Sequence, residues 1–81
     1  MNNMRPIVTK VKPENDYFLI LSFSNGEVRR LDVKPYLEKG IFRELKNLSV
    51  FNSVRPDGLS IEWSNEAALS PDTVYMESVK V

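Results

Sequence analysis

The side chains that most often carry out catalysis are missing from this 81-residue sequence. It contains no histidine and no cysteine, so it lacks the commonest general base, the commonest ligand of transition metals and any thiolate. No glycine-rich phosphate loop, Gly-x-Ser-x-Gly turn or Ser-x-x-Lys pair is present. Catalysis would have to use carboxylates, lysine, tyrosine or hydroxyl groups, and we expect neither an enzyme nor a cofactor.

Among the carboxylates, Asp32 is the strongest candidate for chemistry. It follows Leu31 at an apolar strand end, where burial would raise its pKa and a nearby arginine would lower it. The favoured alternative is that Asp32 caps the backbone amides that follow it. Asp57, Glu62 and Asp72 could bind a hard cation, but they lack the ligand spacing of a calcium loop. We expect no metal site.

A nucleic-acid interface would use the basic residues of the first half of the chain. Arg29, Arg30, Arg43 and Lys46 are the candidates, together with Tyr36. The whole chain has 11 basic and 11 acidic side chains and no basic stripe, whereas affinity for nucleic acids depends on clustered cations. A nucleic-acid-associated regulatory domain is therefore the alternative to a protein-binding role.

Two strands joined at Asn25-Gly26 organise the chain. Asn-Gly between apolar runs predicts a two-residue type I′ turn, since both residues tolerate positive φ. The first arm, from Tyr17 to Phe23, has large apolar side chains on both faces, which predicts a central strand covered on both sides. In the second arm, residues 28–33, the alternation of apolar and polar side chains breaks near Arg29-Arg30. This break favours a β-bulge there over the alternative, in which the two ends of the arm bury opposite faces of the strand.

The segments on either side of this hairpin predict further short elements. Ile7, Thr9 and Val11 alternate with polar positions as a first strand with one buried face, and the segment 13–16 is a turn. Residues 34–40 and 41–47 predict two helical turns, the second with a left-handed stop at Asn47. Residues 55–58 predict a turn.

The last third of the chain predicts a strand and a helix. The strand covers 59–63 and carries Trp63, which is a core residue if this strand faces inward and an interface anchor if it is exposed. Ser70-Pro71-Asp72 is a well-formed helix start, so a helix should run from Pro71 to about Ser78. Residues 79–81 are a tail or a short edge strand.

Length and composition suit one domain that covers residues 1–81. Hydrophobic residues make up 42% and charged residues 27%, as in globular domains. The elements predict an α+β fold: an antiparallel β-sheet, made of an N-terminal three-stranded meander and at least one later strand, with short helices that include a C-terminal helix. No apolar run could span a bilayer, and residues 1–6 contain no apolar signal region, so we expect a cytoplasmic protein that does not enter membranes.

The ordered set of motifs resembles one family of small bacterial proteins. The hairpin pattern Leu-x-Phe-x-Asn-Gly-Glu at 21–27 is followed by Leu31-Asp32-Val33, and later by Ile61-Glu62-Trp63 and by Leu69-Ser70-Pro71-Asp72. From about residue 7 to residue 75 this is similar to domain-of-unknown-function family 2442. Relatives often carry a glycine and an acidic residue after the tryptophan, where this chain has Asn65-Glu66.

The resemblance implies an α+β fold on an antiparallel sheet, with no established activity and no catalytic residues to transfer. It also implies a stand-alone bacterial protein, and some members lie beside a second small gene, for which toxin–antitoxin roles have been suggested. We therefore expect a non-catalytic protein-interaction module, antitoxin-like in a two-protein pair, with a small protein or a second copy as its partner. The candidate interaction surface consists of Arg29, Arg30, Trp63, Val79 and Val81.

Overall fold

The structure, a computed structural model, describes residues 6–81. The prediction that residues 1–6 contain no apolar signal region is not tested, because residues 1–5 lie outside the described part of the chain. The described residues form seven strands: β1 Val8–Glu14, β2 Phe18–Phe23, β3 Val28–Asp32, β4 Arg55–Asp57, β5 Ser60–Glu62, β6 Ala68–Leu69 and β7 Val79–Lys80. Two α-helices and three 3₁₀ segments connect them: α1 Leu48–Phe51, α2 Pro71–Glu77, and the 3₁₀ segments Asn15–Tyr17, Lys34–Tyr36 and Gly40–Lys46.

The strands form two antiparallel sheets, and the fold is α+β as the sequence predicts. The larger sheet has the order β1-β2-β3-β7, so the N-terminal meander is extended at one edge by the last residues of the chain. The smaller sheet has the order β4-β5-β6. The short edge strand expected at 79–81 is confirmed, since Val79 pairs with Arg30 and Lys80 with Arg29.

One hydrophobic core joins the two sheets. Strand β2 contributes Leu19, Leu21 and Phe23 from one face, because alternate side chains of a strand point to the same side. Val8 of β1 and Leu31 of β3 join them from the same sheet. The other sheet, the helices and the connecting segments supply the rest of the buried set: Val33, Leu37, Leu45, Phe51, Ile61, Trp63, Ala67, Leu69 and Val74. The core therefore lies on one side of the four-stranded sheet.

Trp63 lies at the centre of this core. Its side chain is 0% exposed, and its indole N–H donates a hydrogen bond to the Phe51 carbonyl oxygen at 3.0 Å. Its ring also meets the Phe42 ring edge-on, with the centroids 6.1 Å apart. The core position favoured by the strand alternation is confirmed, and the role of Trp63 as an exposed interface anchor is wrong.

The hairpin between β2 and β3 forms as expected, but with a different turn. The Phe23 N–H donates to the Glu27 carbonyl at 2.9 Å, and this pair closes a three-residue loop, Ser24 to Gly26, in which only Gly26 has a positive φ, of 91°. The Gly26 N–H donates to the Phe23 carbonyl at 3.0 Å, and the Glu27 N–H donates to the Asn25 side chain at 3.0 Å. This is a type I turn followed by a left-handed glycine, so the predicted type I′ turn is wrong.

The β-bulge lies in β1 rather than in β3. Strands β2 and β3 pair without interruption from Phe18 opposite Asp32 to Ser22 opposite Val28, so a bulge at Arg29-Arg30 is wrong. The register shifts instead between Val8 and Lys10. This shift turns Val8 into the core, whereas the simple alternation assigned Ile7, Thr9 and Val11 to the buried face.

The turn that joins β1 to β2 holds two residues in the left-handed region. It covers 15–17 rather than 13–16, and φ is 65° at Asp16 and 64° at Tyr17. This conformation is uncommon for a residue as large as tyrosine. Long-range contacts hold it: the Tyr17 hydroxyl donates to the Lys46 carbonyl at 2.6 Å, and the Tyr17 ring meets the Phe51 ring at 5.0 Å.

The helix starts follow ordinary capping rules. Ser70 accepts a hydrogen bond from the Thr73 N–H at 3.1 Å, so the predicted start of α2 is confirmed. Asn47 is extended and caps α1 by accepting from the Ser49 N–H at 3.0 Å, so the left-handed stop predicted there is wrong.

Replacement of Trp63 by alanine should destabilise the protein severely. The change leaves a cavity and an unpaired Phe51 carbonyl, and we expect the free energy of unfolding to fall by about 3–5 kcal/mol. Urea unfolding followed by circular dichroism measures this loss. The control Leu48→Ala, at a side chain that is 58% exposed, should change the value by less than about 0.5 kcal/mol, and equal losses would contradict the core assignment.

Removal of the Tyr17 hydroxyl should weaken the β1–β2 turn. Tyr17→Phe abolishes the hydrogen bond to Lys46, and we expect a loss of about 1 kcal/mol in the free energy of unfolding. Tyr36→Phe is the matched control, because no hydrogen bond of the Tyr36 hydroxyl is present in the described residues, and it should change stability by less than about 0.5 kcal/mol. Equal urea midpoints for the two variants would refute the proposed anchoring.

Candidate interaction surface

The outer face of the four-stranded sheet, opposite the core, is not covered by any element within residues 6–81. Its side chains come from alternate positions of β1, β2, β3 and β7: Lys10, Lys12, Glu14, Phe18, Ile20, Ser22, Val28, Arg30, Asp32, Val79 and Val81. Strand pairing places Lys12, Ile20, Arg30 and Val79 in one row across all four strands. The full coverage predicted for the central strand is therefore wrong, because Phe18 and Ile20 stay partly exposed.

Phe18 on the outer face is shielded by cations instead of by a helix. The Arg30 guanidinium carbon and the Lys34 ammonium nitrogen each lie 4.0 Å from the centroid of its ring. Burial lowers the pKa of Lys34, but its contacts with Asp32 and Asp16 outweigh this and raise that pKa above its usual value. Such cation–π contacts stabilise an aromatic ring on a surface that is still open to solvent.

The outer face has more unpaired cations than unpaired carboxylates. Within the described chain, no ion pair involves Lys10, Lys12 or Arg30. Of the two acidic residues of the face, Asp32 is bound by Lys34 at 3.0 Å, while Glu14 has no ion-pair partner among residues 6–81. The side chains of the face that have no ion-pair partner therefore carry a net positive charge.

The two edges of the four-stranded sheet differ in their capacity to accept another strand. The edge strand β1 contains a bulge and Pro13, which has no N–H, and its Val8 N–H donates to the carbonyl of Leu59 in the turn between β4 and β5. At β7, the Val81 N–H donates to the Val28 carbonyl at 3.0 Å, so by alternation the backbone N–H and C=O of Lys80 point away from β3. In the described part of the chain, the β7 edge is thus the open one.

A shallow groove runs beside β7 on the outer face. It has a volume of about 360 Å³ and is lined by Phe18, Arg30, Asp32, Glu77 and residues 79–81. The valines on its rim are well exposed, with Val79 at 69% and Val81 at 80%. This groove joins the open edge to the apolar centre of the outer face.

Three of the five residues predicted for an interaction surface come together here. Arg30, Val79 and Val81 share the outer face, whereas Trp63 is buried and Arg29 points to the opposite side of β3. Sequence reasoning did not select Lys10, Lys12, Phe18 or Ile20 for this surface. The signal that points to Phe18 and Ile20 is the presence of apolar side chains on both faces of β2, a pattern that is also typical of a strand buried on both sides.

Arg29 is part of an internal joint between the hairpin and the C-terminal segment. Its side chain binds Glu27 at 3.0 Å and donates to the Ser78 hydroxyl and carbonyl oxygens, both at 2.8 Å. The Tyr75 hydroxyl donates to the same Glu27 carboxylate at 3.0 Å, and Lys80 lies 3.7 Å from it. These contacts attach α2 and β7 to the sheet, so the prediction that Arg29 belongs to an exposed interaction surface is wrong.

Of the carboxylates considered for chemistry, Asp32, Glu62 and Asp72 have structural partners. Asp32 accepts a hydrogen bond from the Lys34 N–H at 2.9 Å, which confirms its capping role. Glu62 binds Arg55 at 2.9 Å, and Asp72 also has an interaction partner. Residues 6–81 contain no group of three or more acidic side chains that could hold a metal ion.

The cations proposed for nucleic-acid binding do not form one free patch. Arg29 is occupied by Glu27 and Ser78, Lys46 binds Glu38 at 2.7 Å, and Arg43 donates to the Glu38 carbonyl at 3.3 Å. Arg30 is the member of that set that belongs to the outer face.

The hydrogen bonds and ion pairs of Glu27 predict that the free energy of unfolding depends on pH. Burial raises the pKa of Glu27, but hydrogen bonds from Tyr75 and Arg29 and the charges of Lys80 and Arg29 outweigh it, so its pKa lies below the usual 4.5. A lowered pKa in the folded state contributes stability above the unfolded pKa, and this contribution is lost as pH falls through the folded value. Glu27→Gln should therefore lower the urea midpoint at pH 7, and the difference should shrink between about pH 5 and pH 3.

The control for this measurement is Glu14→Gln, which changes an exposed carboxylate without an ion partner in residues 6–81. We expect this variant to unfold at the urea midpoint of the parent protein over the same pH range. If the difference in urea midpoint between Glu27→Gln and the parent protein stayed constant down to pH 3, the stabilising role of the ionised Glu27 carboxylate would be contradicted.

Comparisons with known proteins agree with the family resemblance. None of the helices in the described residues combines the length and the apolar character that crossing a membrane requires. No curated protein and no solved structure matches the chain. A family model described as Protein of unknown function (DUF2442) matches residues 8–80, which is nearly the whole chain. The chain therefore belongs to the DUF2442 family of proteins of unknown function.

Proposed function

We propose that this chain is a non-catalytic protein-binding module whose partner contacts the outer face of the four-stranded sheet. The observation that carries this proposal is the open outer face itself, which presents Phe18, Ile20, Val28, Val79 and Val81 without a covering element in residues 6–81. Sheet faces of soluble domains that are not used for contacts are normally polar. An apolar centre with a charged rim is typical of protein interaction sites.

The open β7 edge supports the same role. A partner strand that pairs with Lys80 would gain backbone hydrogen bonds, and its side chains would reach the groove beside Val79. The blunted β1 edge makes addition at the other side of the sheet unfavourable. A partner that covers both the face and this edge would bury Val79 and Val81, the two most exposed valines of the surface.

The size of the face predicts a reversible complex. Four strands at about 4.8 Å spacing and about five residues at 3.3 Å give a flat area of roughly 250 Å². Each partner in a standard interface buries about 800 Å² of accessible surface. Even with its protruding side chains, a face of this size supplies only part of that area. Pairing at the β7 edge would add to the contact.

Substitution of the two exposed valines should test this proposal. The double variant Val79→Ser/Val81→Ser removes apolar contact without adding charge, and we expect it to bind a protein partner at least about tenfold more weakly. The measurement compares tagged wild-type and variant chains for capture of proteins from a lysate of the source organism. Biolayer interferometry with the purified partner then gives the dissociation constants.

The matched control is Leu48→Ser/Met76→Ser, at side chains that are 58% and 64% exposed and lie outside the outer face. It removes a similar apolar area and should leave binding unchanged. Circular dichroism and urea midpoints verify that both double variants are folded. Failure to capture any saturable partner, or equal weakening by both variants, would remove the proposal.

A further inference from the structure

We propose that the partner presents an acidic segment to the outer face, with two carboxylates that bind Lys12 and Arg30 on either side of an apolar residue over Ile20. This inference depends on the proposed function and adds the chemistry of the partner. It follows from the charges, from the geometry of one cross-strand row and from the exclusion of other occupants.

The free charges of the face are the first observation. Within residues 6–81, Lys10, Lys12 and Arg30 have no ion pair, whereas the carboxylates of this surface without one are Glu14 on the face and Glu77 in the lining of its groove. Most other cations of the described chain are occupied, as Arg29 is by Glu27 and Lys46 by Glu38. Electrostatic complementarity therefore favours a negatively charged partner.

The row across the sheet gives the spacing. Lys12 pairs with Ile20, Ile20 with Arg30, and Arg30 with Val79. Strands lie about 4.8 Å apart, so Lys12 and Arg30 are about 10 Å apart, with Ile20 between them and Val79 beyond. An extended segment rises about 3.3 Å per residue. Because alternate side chains of an extended segment point to the same side, carboxylates four residues apart, about 13 Å, would flank an apolar side chain over Ile20 and would be within reach of the long Lys12 and Arg30 side chains.

Other occupants fit the face less well. A second copy would place the same unpaired cations against each other, and like charges in contact are unfavourable. Nucleic acid gains affinity from many clustered cations, whereas this face also carries Glu14 and Asp32 and an apolar centre. An anionic lipid surface would meet the same two carboxylates.

Selection from an unbiased peptide library tests the proposal. The purified full chain is immobilised and exposed to a library of random twelve-residue peptides, with counter-selection against Lys12→Glu/Arg30→Glu. We expect enriched peptides to carry Asp or Glu on both sides of an apolar residue. Synthetic copies should bind the wild type about tenfold or more tightly than the double variant, and binding should weaken between 50 and 300 mM salt.

The matched control is Lys39→Glu, which reverses a cation that has no ion pair in the described residues and lies outside the outer face. It should leave the affinity for the selected peptides unchanged. Peptides that are neutral or basic, no enrichment at all, or equal weakening by Lys39→Glu would overturn the proposal. The proposal would also be overturned if Lys12 and Arg30 bound another partner instead of the peptides. The partners to test are a 20-base-pair DNA duplex, phosphatidylserine vesicles and a second copy of the chain.

The outcome can be separated from that of the proposed function. If the valine variant loses a captured protein while the selection yields no acidic peptides, the module role stands and the acidic chemistry is wrong. If the valine variant binds its partner as tightly as the wild type, the site itself is wrong, whatever the peptides show.

Discussion

The structure depends on one constraint: within residues 6–81, the short helices and the second sheet pack against the same face of the four-stranded sheet. They bury the inward side chains of β2 and contribute Leu45, Phe51, Ile61, Trp63 and Val74 to the core. No element of the described residues is left to cover the opposite side. The outer face is therefore a consequence of how the core is built, and its aromatic ring, Phe18, contacts the cations of Arg30 and Lys34.

A second constraint concerns the end of the chain. Strand β7 has only two residues, and two ladder pairs alone would attach it weakly to β3. The Glu27 carboxylate compensates for this, because it is bound by Arg29, by Tyr75 and by Lys80, and Arg29 in turn holds Ser78. The surface that we assign to a partner is thus held in place by a charged joint on the other side of the sheet.

Local sequence signals predicted the positions of strands, turns and helix starts better than they predicted how these elements contact their neighbours. The hairpin, the start of α2 at Ser70, the capping by Asp32 and the core position of Trp63 follow from short motifs or strict alternation. The turn type at Asn25 could not be predicted from the Asn-Gly pair alone, since it depends on a hydrogen bond from the Glu27 N–H to the Asn25 side chain. The bulge in β1 could not be predicted because it depends on the pairing with β2. The candidate surface was predicted in part, because apolar alternation shows which positions share a face but not whether that face is covered.

The left-handed turn at Asp16 and Tyr17 has a consequence for the order of folding. Its conformation is unfavourable by itself and is held by Lys46 and Phe51, which lie about thirty positions further along the chain. The β2–β3 hairpin, in contrast, closes through a glycine turn that needs only its immediate neighbours. We therefore expect β2 and β3 to pair early in the folding reaction and β1 to join only when the central segment has docked.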